Sequence, residues 1–207
     1  MLLPPTCPSC GHPGPAPCPA CWRRLRPAPP LSPPPGVDWC ASLLVYEREA
    51  RELIARLKYR NARSVLPWLA DGMAGLVVAR EAERGERIDV VTWAPTTGRR
   101  RRERGFDQAE LLARAVGIRL RRPVRGLLRR TSSSPQTGRL AAERRHGPAF
   151  AARAWQGASV LVVDDVMTTG ATLSAAAQAL RTSGGRRVAG VTAGRTPLKV
   201  VVPGADA

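Results

Sequence analysis

Apolar and polar positions divide the chain into short apolar runs separated by stretches of helical period. Ala41 to Tyr46 (ASLLVY), Ile88 to Ala94 (IDVVTWA), Val160 to Val163 (VLVV) and Val188 to Ala193 have the length and β-branched content of buried strands. Between them, Glu47 to Tyr59 sets Leu53, Ile54 and Leu57 on one face with Glu and Arg opposite, which predicts an amphipathic helix. Further helices fit Ser64 to Glu83, Phe106 to Val116 with Asp107 as its cap, and an Ala-rich stretch from Ala171 that carries Leu173, Ala176, Ala177 and Leu180. Gly184-Gly185 stops the last of these. Residues 123–130 suggest one more short strand, and Thr131 to Gly147 is polar and aperiodic, fitting a lid over a reaction centre or a disordered surface loop equally well. Strands alternating with helices predict an α/β fold whose mainly parallel central sheet takes ligands at the carboxyl ends of its strands.

Composition adds a second unit at the N-terminus. Of the 20 prolines, 13 fall in residues 1–36, together with four of the five cysteines, Cys7, Cys10, Cys18 and Cys21. Two C-x-x-C pairs can close a tetrahedral zinc site, and so short a Pro-rich segment would take its stability from the metal. Disulfides are the competing reading, which a cytosolic location disfavours. His12 reads as a surface residue, Cys40 as a small buried apolar side chain, and Pro27 to Pro35 as a stiff linker. The predicted organisation is therefore a zinc knuckle with linker at 1–36 and an α/β domain at 37–207.

Net charge is +17, which favours polyanionic contacts: a phosphorylated substrate, nucleic acid, or both. Arg supplies 31 of the 33 basic residues, as a GC-rich genome would write on any solvated face, yet that preference leaves the twofold excess over acids unexplained. No apolar stretch reaches the ~18–20 residues of a membrane span, and the N-terminus lacks the regions of a secretory signal, so a cytoplasmic protein is expected.

Chemistry concentrates where the third apolar run meets two adjacent acids, Asp164 and Asp165, followed by Val166-Met167-Thr168-Thr169-Gly170-Ala171-Thr172 at a helix N-terminus. Backbone amides, threonine hydroxyls and the positive helix end suit a phosphate monoester. The carboxylates would repel that phosphate, and instead suit vicinal hydroxyls with a divalent cation nearby. A ligand with a diol at one end and a phosphate at the other is implied. Upstream, Pro95-Thr96-Thr97-Gly98 and the basic run Arg99 to Arg104 follow a strand; this is either a solvated charge run or a second anion loop suited to a diphosphate.

The stretch from Val160 to Leu173 resembles the 5-phosphoribosyl 1-diphosphate (PRPP) signature of type I phosphoribosyltransferases. With the double C-x-x-C, Leu57-Lys58-Tyr59, Arg101, Arg104 to Ala113, Leu128-Arg129-Arg130, Pro135-Gln136 and Ala149-Phe150, nearly the whole chain resembles the ComF/GntX family of phosphoribosyltransferase-like proteins. The resemblance implies a type I phosphoribosyltransferase-like fold, PRPP bound with magnesium, a structural zinc, and in some members a part in natural competence and the handling of single-stranded DNA. It assigns Asp164 and Asp165 to the ribose diol, Val166 to Thr172 to the 5-phosphate, and Arg101, Arg104, Lys58 and Arg139 to diphosphate and lid contacts. Three positions depart from the family: Asp107 and Pro148, where Asn is usual, and Trp93-Ala94-Pro95 in a segment usually Val-Pro-like. Met167 stands where oxopurine salvage enzymes carry an acid, which speaks against an oxopurine acceptor. Two functions follow: phosphoribosyl transfer from PRPP to a base, or a zinc-bearing single-stranded nucleic-acid-binding or partner-docking protein that keeps the fold without turnover.

Overall fold

The computed structural model describes residues 6–57, 64–131 and 148–197. Its centre is a four-stranded parallel sheet in the order β1-β6-β5-β2, formed by β1 (Trp39–Val45), β2 (Val90–Trp93), β5 (Ser159–Met167) and β6 (Arg187–Arg195). A separate antiparallel pair joins β3 (Leu128–Thr131) to β4 (Ala149–Ala152). The α/β fold with a parallel central sheet is as expected. β4 has no counterpart in the apolar pattern, because AFAA is too short and too small to stand out.

Period-two alternation sends the strand side chains to two cores. Val91, Leu161, Val163, Ala189 and Val191 enter one core with Leu53 and Ile54 of α2 (Arg48–Arg56), Leu69 and Met73 of α3 (Leu66–Arg84), and Leu112 and Val116 of α5 (Gln108–Leu120). Val90, Val160, Val162 and Val188 enter the other, against Leu173, Ala176, Ala177 and Leu180 of α6 (Ala171–Thr182). Both faces of the sheet are thus covered by helices, which is why these strands read as continuous apolar runs.

Two expectations change. β5 does not end at the acids: it runs through Asp164 and Asp165 to Met167, pairing Val166 with Gly194 and Met167 with Arg195. Beyond Val163 that strand end is paired with β6 alone. The basic run is not a loop but α4 (Gly98–Arg104), started by Thr97, whose side chain accepts from the Arg100 N–H, and closed by Gly105 at φ 76°.

The Pro-rich segment also does more than connect. Pro27 bridges Leu44, Val45 N–H donates to Arg26 O, and Ala28 N–H donates to Leu43 O, so the segment lies along the otherwise open edge of β1. Its far end is fastened by Arg181, which donates to Gly36 O at 2.8 Å and pairs with Asp38 at 2.7 Å. Ahead of it lies a single short helix, α1 (Pro19–Trp22), within the cysteine-rich knuckle.

Candidate functional site

All four strands of the central sheet run in the same direction, so the turns after β1, β2 and β5 gather at one end. There they enclose a cleft of about 420 Å³. One wall holds Asp164, Asp165, Val166, Thr168 and Thr172; the facing wall holds Thr96, Arg100, Arg104 and Arg130.

The two carboxylates stand side by side on β5. Asp164 Oδ1 accepts the Asp165 N–H at 2.8 Å, and Asp165 Oδ1 accepts the Val166 N–H at 2.8 Å. Burial, then the neighbouring charge of Asp165, pushes the Asp164 carboxyl well above the usual carboxylate range. Tyr46, just past β1, joins the same cleft, and burial followed by the charge of Asp165 raises its phenol, which stays a donor at neutral pH.

Past β5, Gly170 takes the left-handed conformation (φ 80°) and caps the twelve-residue α6, turning the chain sharply from strand into helix. Thr169 Oγ1 accepts the Ala171 N–H at 3.4 Å, while Thr168 and Thr172 face the cleft. A Cβ on Gly170 would lie 2.6 Å from Pro34 Cγ, so the Pro-rich segment packs directly on this loop. Met167 is buried beneath it and belongs to the core rather than to the cleft lining.

Across the cleft, Asp107 organises the basic wall. It is buried, its Oδ2 accepts the Thr96 N–H at 2.8 Å, and its Oδ1 caps α5 by accepting the Ala109 N–H at 3.0 Å. Both carboxylate oxygens are in use, which an Asn could not reproduce. Burial raises its pKa against the effect of those N–H donors. Arg104 is held by Gln108 Oε1 at 3.0 Å, and Arg130 donates to Pro95 O at 3.4 Å with its guanidinium 5.7 Å from the Phe150 ring centroid.

Of the residues assigned to the diphosphate, Arg104 lies in the cleft and Arg101 does not: it is exposed and pairs with Glu110 at 3.7 Å. Arg100 takes its place, because Arg100 and Arg104 are one helical turn apart on α4. Only the helical phase set by Thr97 and Gly98 separates Arg100 from Arg101 within a run of arginines, and a run read as a loop has no phase. Arg130 and Tyr46 also line the cleft: Tyr46 closes the first apolar run, and Arg130 stands two residues past Leu128. Lys58 and Arg139 lie outside the described residues, as does the predicted lid from Ser132 onward.

The four knuckle cysteines come together as expected, their sulfurs all within 4.8 Å of one another and Cys10 Sγ 3.6 Å from Cys18 Sγ. Tetrahedral zinc with Zn–S of about 2.3 Å needs sulfurs roughly 3.8 Å apart, so the donor set fits. Burial alone would raise Cys7, but N–H groups of Cys18, Cys10 and Ser9 bring it down to about 6, whereas burial among the other thiols takes Cys21 up to about 12.

Residues 103–198 match the family model described as phosphoribosyl transferase domain. The match begins in α4 and takes in Asp107, both strand-end acids and the loop into α6. No curated protein sequence matches the chain. Among solved structures, the chain is similar to the glutamine phosphoribosylpyrophosphate amidotransferase from B. subtilis, complexed with ADP and GMP, at 19% identity and a TM-score of 0.44. A structure described as the allosteric regulatory enzyme of purine biosynthesis gives 17% and 0.42. In both, the similarity covers 67% of this chain and 30% of the other, so this chain spans under a third of their length. The purine phosphoribosyltransferase from Pyrococcus horikoshii Ot3 is 16% identical with a TM-score of 0.39, over 62% of this chain and 84% of that one.

Proposed function

We propose that this chain binds PRPP in the 420 Å³ cleft and transfers its phosphoribosyl group to a base. One observation carries the reading. A paired carboxylate wall and a threonine loop at a helix N-terminus face a wall of three arginines, an arrangement complementary to a diol and a monophosphate on one side and a diphosphate on the other.

Asp164 and Asp165 hold the ribose hydroxyls, and Thr168 and Thr172 with the amides at the start of α6 hold the 5-phosphate. Arg100, Arg104 and Arg130 receive the diphosphate. In the reaction the C1–O bond to diphosphate breaks, positive charge builds on the ribose ring, a nitrogen of the base bonds to C1, and the proton that nitrogen loses passes to the departing diphosphate. The acids beside the ring stabilise that charge while the arginines stabilise the leaving group, so most of the acceleration is electrostatic preorganisation. Asp164 and Asp165 are also the hard oxygen donors that suit magnesium, whose chemistry would be to neutralise the diphosphate. Arg101 binds at most from outside the cleft, and Lys58 and Arg139 remain proposed lid contacts. Cys7, Cys10, Cys18 and Cys21 hold structural zinc.

A second reading, a non-catalytic zinc-bearing protein that keeps the fold and binds single-stranded nucleic acid or docks a partner, draws on the net charge of +17 and on Trp22, which is 58% exposed on the knuckle. Calorimetric titration of magnesium-PRPP into wild type and the Asp164→Asn, Asp165→Asn double variant tests the first reading, with a screen of bases for diphosphate release. Loss of binding in the variant and release with one base are expected. Equal binding by both proteins refutes the site; binding without release from any base favours the second reading.

A further inference from the structure

β6 ends in Arg195, whose side chain is buried at 4% exposure. A buried guanidinium carries a desolvation cost of several kcal/mol unless it is paired and fully hydrogen-bonded. Here Nη2 donates to the neutral Pro29 O at 3.2 Å, and Nη1 has no hydrogen-bond partner among the described residues. The small cavity beside it, about 100 Å³, lies beneath the Pro-rich segment. Arg80 of α3 lines the same cavity, with Cys40 and Met167, and no carboxylate does so among the described residues. Glu83 takes one Arg80 nitrogen at 2.8 Å, but from the exposed helix surface. Cys40 offers no balancing charge, since burial raises its thiol despite both arginines. A water in the cavity would satisfy Nη1 and leave the charge unbalanced.

We propose that this cavity is a second anion site, separate from the cleft, in which Arg195 and Arg80 hold a small tetrahedral oxyanion of the phosphate class. Its volume suits inorganic phosphate and excludes a nucleotide. The register of the sheet gives the site a connection to the cleft. Arg195 pairs with Met167, Thr196 N–H donates to Met167 O at 3.0 Å, and the next residue, Thr168, faces the cleft. Pro29, which accepts from Arg195, belongs to the segment whose Pro34 rests on Gly170. An anion here would therefore brace the phosphate loop from behind.

The test is calorimetry of the zinc-loaded full chain with two probes, inorganic phosphate and ribose 5-phosphate, on wild type and on Arg195→Gln, Arg80→Gln and Thr172→Val. A phosphate-binding event that survives Thr172→Val and weakens about tenfold or more in Arg80→Gln is expected. Ribose 5-phosphate should behave oppositely, depending on Thr172 and not on Arg80. Arg80 is part-exposed on a helix, so its variant decides the matter even where Arg195→Gln does not fold. Phosphate binding unchanged in Arg80→Gln, or wholly lost in Thr172→Val, overturns the proposal. Phosphate binding that depends on Arg80, together with no ribose 5-phosphate binding at all, would uphold this site and sink the assignment of the cleft.

Discussion

Asp164 shows how an acid lining the cleft weighs on the stability of the chain. Its carboxyl is raised by burial and by Asp165, so the native chain holds this proton more tightly than the unfolded chain does. Stability from this group is therefore full below the ordinary carboxylate range near pH 4 and falls as pH rises through the raised native value. Above that value the charge on Asp164 is a cost that bound ligand would offset. Above that raised value Asp164→Asn should consequently stabilise the chain by about 1 kcal/mol, lifting the melting temperature by roughly 2–4 °C for a domain of this size, while weakening PRPP binding. The gain should shrink toward pH 4, which scanning calorimetry across pH would show; a variant that melts lower than wild type at every pH would contradict this account. Asp107 is the contrasting acid. It is buried, and two backbone N–H groups occupy its oxygens, so its charge serves to tie the loop after β2 to the start of α5.

At the scale of elements, the turn between β5 and α6 depends on one glycine and one proline. Gly170→Ala would place a methyl group within 2.6 Å of Pro34 and hold alanine at φ 80°. It should destabilise the chain by about 2–3 kcal/mol and weaken ribose 5-phosphate binding, read by urea melts and titration. A fully native stability would show that the Pro-rich segment is not seated there. That contact also shows what the sequence could convey. The strand, the acids and the Thr-Gly loop were legible because each is local: an apolar run, a polar break and a helical period lie within a few residues. The packing of Pro34 on Gly170, or of Pro27 beside Leu44, joins parts of the chain that no periodicity links. The facing wall was half legible for a related reason. Arg104 was found, but Arg100 required knowing that the basic run is a helix, and Arg130 required the β3–β4 pair, whose second strand is too short to read.

At the scale of the whole molecule, the knuckle is tied to the sheet domain at several points. Arg24 pairs with Glu49, Arg26 with Glu47, and Leu25 packs on the larger core. One zinc per chain is expected by elemental analysis, and stripping it with a chelator should lower the melting temperature and expose the segment around Pro27 to Pro35 to proteolysis. An unchanged melting curve after complete zinc removal would argue against a structural metal. The order of the sheet has its own consequence. β6 comes last of the strands in sequence yet lies between β1 and β5, and the Ser42–Thr192 hydroxyl contact spans 150 residues. Topology of such high contact order folds slowly, because loop closure precedes any reward from the distant pairing. During synthesis β1 waits, with its apolar faces open, until the strand that completes the sheet has left the ribosome. That waiting period is when the nascent chain is most prone to aggregate, and most dependent on chaperones.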